Sequence, residues 1–299
     1  MLDKKKSIRK FKETVIEGLL FSCSLLSVFT TGAIIYILLS ETIQFFKAVP
    51  IVQFLTDTQW TPLFTNKHFG ILPLLSGTIL TTAIAVAVAV PVGLISAVYL
   101  SEYSHSKMRN VIKPLMEILA AVPTVVYGYF ALLFVTPILR KIFPGISGFN
   151  SLSAGLVMGI MIIPLVSSLS EDAMHAVPMR LKEGAYALGS NKLQVAFFIV
   201  LPAALSGVIA SIILAVSRAI GETMIVAIAA GQQPHLTFNP LIPVETITAY
   251  IVQVSLGDTP HGTIEYRTIF ACGMALFTLT FFLNIMSFKF KERFKEVYD

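Results

Sequence analysis

The chain has 299 residues, 55% of them hydrophobic and only 13% charged, with a formal net charge of +5. A mean hydropathy of +0.79 excludes an ordinary soluble domain and points to an all-α integral membrane protein, since a helix satisfies its own backbone polar groups in lipid. The basic excess requires no nucleic acid, because membrane topology accounts for where the cations lie.

Apolar runs of about 20 residues, enough to cross a core of about 30 Å, predict six transmembrane helices near 18–39, 71–100, 112–139, 152–169, 205–230 and 268–287. A basic segment, 1–17, precedes the first and another, 288–299, follows the last. The first run is too long for a cleaved signal, and no small-residue cleavage pattern closes it before Glu41, so it is expected to stay attached. Six spans put both termini on one side, with Lys107, Arg109, Lys113, Arg180, Lys182 and Lys192; the other side holds Lys47, Lys67, Arg140, Lys141 and Arg267. The positive-inside rule makes the first side, and both termini, cytoplasmic.

The first outer loop, 41–70, has the only tryptophan, Trp60, in QWTPLF, with Phe45, Phe46 and Phe54 nearby. Such aromatics usually form an interfacial belt, and docking of an outside partner is the sharper alternative. The second span is long enough to need tilt or a kink, for which Pro91 offers a site. In the third, Glu117 caps the cytoplasmic end, while Pro123, Tyr127 and Gly128 are candidate hinge or gate residues. The connection 140–150 reads as a plain turn.

The long cytoplasmic loop, 170–204, holds EGAYALGSNKLQVAFFIVLP, too polar to span. A short helix over 183–188 is stopped by Gly189; Asn191 then stands where an N-cap belongs, with Gln194 three residues on, and a second helix runs to Pro202. This rigid elbow suits a cleft on another protein, or the lipid headgroups as an interfacial helix.

In the fifth span, Ala203, Gly207, Ser211, Ala215 and Ala219 recur every four residues and predict a close-packed face. Arg218 lies eleven residues beyond Gly207, nearly three turns, and is expected on that side, with Glu222 four residues further on. An intramembrane arginine is costly, about 2.5–3.5 kcal/mol on the lenient scale. Either Glu222 neutralises it within a structural ion pair, or its planar fork of donors lines an oxyanion path that Glu222 keeps near neutral. The last outer loop, 231–267, surrounds an apolar stretch, Val244 to Leu256, that predicts a short re-entrant or surface helix. No nucleotide-binding glycine loop, zinc motif or nucleophile elbow occurs, the five histidines are scattered, and Cys23 and Cys272 lie within spans.

Glu183, Ala185, Gly189, Ile199, Leu201 and Pro202 fit the interval of the EAA signature, with Gly184 replacing its first alanine. On these residues the chain resembles the membrane subunits of ABC importers. WTPLF, LLSGTILTTAIAVAVAVPVGLISAVYLSEY, EILAAVPTVVYGYFAL, MGIMIIPLVSSLSEDA and SRAIGETMIVAIAAG are similar to the PstC family of phosphate-importer permeases, with Met224 and Ile225 after Glu222 and Thr223 separating it from PstA.

The resemblance implies the type I permease fold in a bacterial inner membrane, with the elbow seated as coupling helix in a cytoplasmic ATPase. It implies a PstA-like permease, two PstB-like ATPases and an external PstS-like binding protein as partners. ATP and Mg would reside on the ATPase, and this chain would bind no cofactor and catalyse no bond change. It also implicates the arginine of the RA-x-GE segment, Arg218, in phosphate passage. Alternatives are a permease for molybdate or sulfate, or a membrane channel or sensor outside the ABC class.

Overall fold

The protein, seen as a computed structural model, is described over residues 2–293, with side chains over 12–290 other than Ser106. Met1, residues 294–299 and the side chains of 2–11 and 291–293, which include much of both basic ends, lie outside the described residues.

Twelve helical segments follow in order: α1 (Leu2–Ala48), α2 (Ile51–Thr56), α3 (Leu72–Tyr103), α4 (Ser106–Ala121), α5 (Thr124–Ile142), α6 (Ser151–His175), α7 (Met179–Ala187), α8 (Lys192–Ala203), α9 (Leu205–Ile220), α10 (Met224–Ala229), α11 (Ile247–Leu256) and α12 (Ile264–Arg293). Among the described residues α1, α3, α5, α6 and α12 are long and apolar enough to cross a membrane. The pair α8 and α9, bent by 73°, supplies a sixth candidate if taken as one span.

Packing follows residue size. Gly155 and Gly159, one turn apart on α6, let α3 approach until an added methyl at either would lie under 3 Å from Ile84 or from the Ala85 carbonyl. Further along α6, Ser211 Oγ of α9 lies 2.7 Å from Ser170 Oγ, and Gly207 abuts Ala173. The face marked by the four-residue spacing is thus the one that meets the fourth span. Three apolar clusters stack along the helices: one around Val157, Met158 and Ile162, one at the elbow end around Met174, Val195 and Val200, and one at the opposite end around Phe45, Trp60 and Tyr250.

The third and fifth spans differ from the sequence expectation. Residues 112–121 belong to α4, a separate helix bearing Arg109, Lys113 and Glu117, and the membrane-length helix starts only at Thr124. Val122 and Pro123 are both extended, as expected where proline removes a donor and pushes its predecessor out of helical geometry. The fifth helix ends at Ile220 and does not run on to 230, because Gly221 to Thr223 form a break and α10 restarts at Met224. Trp60 is fully packed, edge-on to Tyr250 at 5.0 Å and to Phe54 at 6.2 Å, and belongs to a core and not to a lipid belt.

Candidate functional site

The Arg218–Glu222 pair lies at the break after α9. Arg218 occupies the last turn of α9, where a cation complements the helix dipole. Glu222 lies beyond the helix end, and its carboxylate is buried. Its Oε1 accepts from Met224 N at 3.2 Å, so it caps α10, and its carbonyl accepts from Thr248 Oγ1 at 2.7 Å, which fastens the break to α11. Oε2 lies 3.2 Å from Arg218 Nη1.

The expectation that Arg218 shares the packed small-residue face is corrected. Ser211, Ala215 and Ala219 are buried against neighbouring helices, whereas the Arg218 side chain is 48% exposed at the chain's open flank. A four-residue step advances about 400°, so the small-residue stripe winds around the helix by about 40° at each step; at the level of Arg218 the packed face is carried by Ala215 and Ala219, and Arg218, one residue before Ala219, is turned about 100° from it. A buried carboxylate therefore anchors one side of the guanidinium, while the Arg218 side chain remains half-exposed. That arrangement can offer fork-shaped, permanently charged donors to an anion.

Pro123 stands at the start of α5, and Tyr127 Oη donates to Leu119 O at 2.7 Å, bridging the break between α4 and α5. Gly128 lies within α5, where an added methyl would sit 3.0 Å from Ile228 of α10. The chain's discontinuity is at 122–123, and Gly128 provides the seat where α5 meets the segment after Glu222.

At the other end of α9 the elbow forms from purely local contacts. Gly189 has φ +86°, and its N–H donates to Tyr186 O while Ser190 N–H donates to Ala185 O, the paired bonds of a Schellman stop. Asn191 and Gln194 exchange bonds of 2.9 Å each way as a capping box that opens α8. Ala185 is buried, whereas Glu183 and Gly184 are exposed; Ile199 and Leu201 pack partly against the elbow-end cluster, and Pro202 is exposed. The corner itself is apolar and open: Leu188 is 89% exposed, with Leu193 and Phe198 also bare. A concavity of about 360 Å³ bounded by Leu188, Gly189, Gln194 and Phe198 lies beside it.

Sequence reasoning missed the ion pairs that hold this end together. Glu171 of α6, with no exposed side chain, pairs with Arg109 and, at 3.0 Å, with Lys113 of α4; Lys113 also reaches Asp172 at 2.6 Å. The bond to Asp172, then that to Glu171, holds the Lys113 ammonium above its ordinary value against the opposing effect of burial. Lys182 of α7 pairs with Glu102 at the end of α3, 2.7 Å apart and nearly buried. The available signal was an acid at each of two span ends facing lysines that topology alone had explained. No group of His, Cys, Asp and Glu suited to a metal occurs among the described residues.

Residues 89–296 match the family described as binding-protein-dependent transport system inner membrane component. A phosphate transport system permease protein PstC from Xylella fastidiosa is 36% identical over 256 residues, covering 79% of this chain and 77% of that protein. A probable ABC transporter permease protein, YqgH, of Bacillus subtilis is 29% identical over 267 residues, covering 89% and 86%. Among solved structures, a chain of a bacterial alginate ABC transporter superposes with a TM-score of 0.63 at 15% identity, over 96% of this chain and 99% of that one. That likeness shows a shared fold.

Proposed function

Given that this chain belongs to the family of binding-protein-dependent transport system inner membrane components, we propose that it is a permease subunit of an ATP-driven importer of inorganic phosphate, working by alternating access. The PstC relatives support phosphate as the solute. The observation that carries the reading to particular atoms is the Arg218–Glu222 pair, with its carboxylate buried and its guanidinium open. On this reading Arg218 faces the translocation path, completed by a PstA-like permease, and contacts the tetrahedral anion through donors that Glu222 does not use. Glu222 offsets the charge of the empty path, so that the anion is not trapped.

The elbow, Glu183 to Pro202, inserts its bare corner into one of two PstB-like ATPases, which bind ATP and Mg. Closure of the ATPase pair then moves α7 and α8, and with them α3 through Lys182–Glu102 and α9 through the 73° bend. Pro123 and Tyr127 form the hinge between α4 and α5. A PstS-like protein delivers phosphate to the opposite face. The chain crosses a bacterial inner membrane with both termini in the cytoplasm, as the lysine and arginine placement supports.

The test is ATP-dependent phosphate uptake by the reconstituted complex carrying Arg218→Gln. Hydrogen bonds to charged groups contribute about 1.5–3 kcal/mol each, so uptake should fall at least about tenfold while the complex still assembles. Uptake at the wild-type rate would remove Arg218 from the path.

A further inference from the structure

At the end of the fold opposite the elbow, the 57–70 loop and α11 enclose a cavity of about 160 Å³. Trp60 and Tyr250 form its aromatic walls, set edge to face at 84°, and Glu245, Gln232, Gln253 and Phe64 contribute to its lining. At about 30 Å³ per water it has room for roughly five, enough for the tip of a long side chain and too little for a peptide segment.

Glu245 is only 2% exposed, yet its Oε1 has no hydrogen-bond partner and it forms no ion pair among the described residues. Trp60 Nε1 is likewise buried and unpartnered. Three other acids at this end are matched, Glu265 with Lys67, Asp57 with His68 and Glu41 with Arg267, and Asp258 is exposed to solvent. The main chain at Glu245 is held in place, because its carbonyl lies against Gly77 of α3, where an added methyl would come within 2.2 Å. The next residues are fixed by Ile247 N–H donating to Thr78 Oγ1 at 3.1 Å. A buried acid beside two aromatic rings, with no ion-pair partner among the described residues, is the composition that recognises an ammonium or guanidinium group.

The rim supports docking over entry of a free solute. Gln232 holds φ +47°, a left-handed conformation that few side-chain-bearing residues adopt, and its Nε2 is tied to Ala227 O at 3.0 Å. Phe64 is 67% exposed beside it, with Leu63 also open, an apolar collar of the kind that shields a central charged contact from water.

We propose that this cavity is a docking socket for one cationic side chain, lysine or arginine, carried by the external binding protein. This rests on the importer reading above. The cation would lie in the cavity beside the Trp60 and Tyr250 rings and against the Glu245 carboxylate, supplying from the partner the charge that the fold omits. Burial pushes that carboxyl up to about 8, consistent with an acid whose counter-charge arrives from outside.

The test is a double-mutant cycle on docking, read as Kd between the external binding protein and the assembled complex in nanodiscs. Each lysine and arginine of the binding protein is replaced in turn by methionine, against complexes with Glu245 or Glu245→Gln. One such replacement should weaken docking to the wild-type complex at least tenfold, and the same replacement should have no effect on the Glu245→Gln complex, which already docks weakly. If no replacement weakens docking to the wild-type complex, or if Glu245→Gln docks as tightly as wild type, the cavity is a water site and the socket is wrong. Docking is measured without transport. A complex that docks in this way but moves no phosphate would sink the proposed function alone, and one that moves phosphate with docking indifferent to Glu245 would sink the socket alone.

Discussion

Two buried acids mark the two ends of this molecule, and they are treated in opposite ways. Glu171, at the elbow end, is clamped by Arg109 and Lys113; Glu245, at the other end, is buried with no ion-pair partner among the described residues. Both are equally withdrawn from water, so the difference lies in what the fold supplies. Near the elbow, the chain furnishes its own counter-charges and ties α4, α6, α7 and α3 into a unit able to pass movement on. At the far end, one charge is left for something else to match.

The largest effect expected of this contrast comes from removing Glu171. Breaking a buried ion pair by deleting one partner costs about 3–5 kcal/mol, and the low end applies because Arg109 and Lys113 are each about a quarter exposed. Glu171→Gln should therefore lower the thermal midpoint of the assembled complex by several degrees, whereas Glu245→Gln should leave it unchanged or raise it. Equal losses from both would erase the distinction.

The next largest falls on the elbow. Gly189→Val places a β-branched residue at φ +86°, a conformation that costs L-residues about 1–2 kcal/mol. The count of phosphate taken up per ATP hydrolysed should fall while hydrolysis continues, and an unchanged ratio would count against the elbow as coupling element. Asn191→Ala, which removes one half of the capping box, should cost about 1 kcal/mol, visible as a smaller shift in the same direction.

The two ends should also part in their response to pH. Glu245 binds its proton more tightly in the folded chain than in the unfolded one, so its contribution declines as pH rises from about 4.5 to about 8, and Glu245→Gln should flatten that part of the stability profile. Lys113 has its folded pKa raised by Asp172 and Glu171, so its contribution is fully present below the ordinary value of 10.5 and is lost only as pH climbs past the raised one. Of these two groups only Glu245 should respond across neutral pH.

How much of this was legible in the sequence depended on the range of the interactions. The elbow was readable because Gly189, Asn191 and Gln194 act on backbone a few residues away, and the packed face of α9 because helical periodicity fixes Gly207, Ser211 and Ala215 together. The apolar stretch from Val244 to Leu256 likewise announced α11. The start of the third span was misjudged, since hydropathy ran across Pro123 while the local geometry of Val122 and Pro123 ended one helix and began another. Arg218 leaves the packed face because the four-residue stripe itself winds around the helix, so that register with Gly207 is not register with Ala215 and Ala219, and Glu222 leaves the helix because Met224 and Thr248 capture its polar atoms. Nothing local distinguishes Glu171 from Glu245, because what sets them apart is whether the cations of α4 or the aromatic 57–70 loop lie opposite, a matter of tertiary contact.

The central claim is that this chain is a phosphate gate driven by a nucleotide-hydrolysing partner. It is tested most directly by phosphate uptake into vesicles holding the reconstituted complex, with sulfate and molybdate as competitors and with the ATPase present or omitted. The account predicts uptake that requires ATP and the ATPase and that neither competitor suppresses. Steady uptake by this chain without a nucleotidase, or uptake that sulfate or molybdate suppresses as strongly as unlabelled phosphate does, would contradict it.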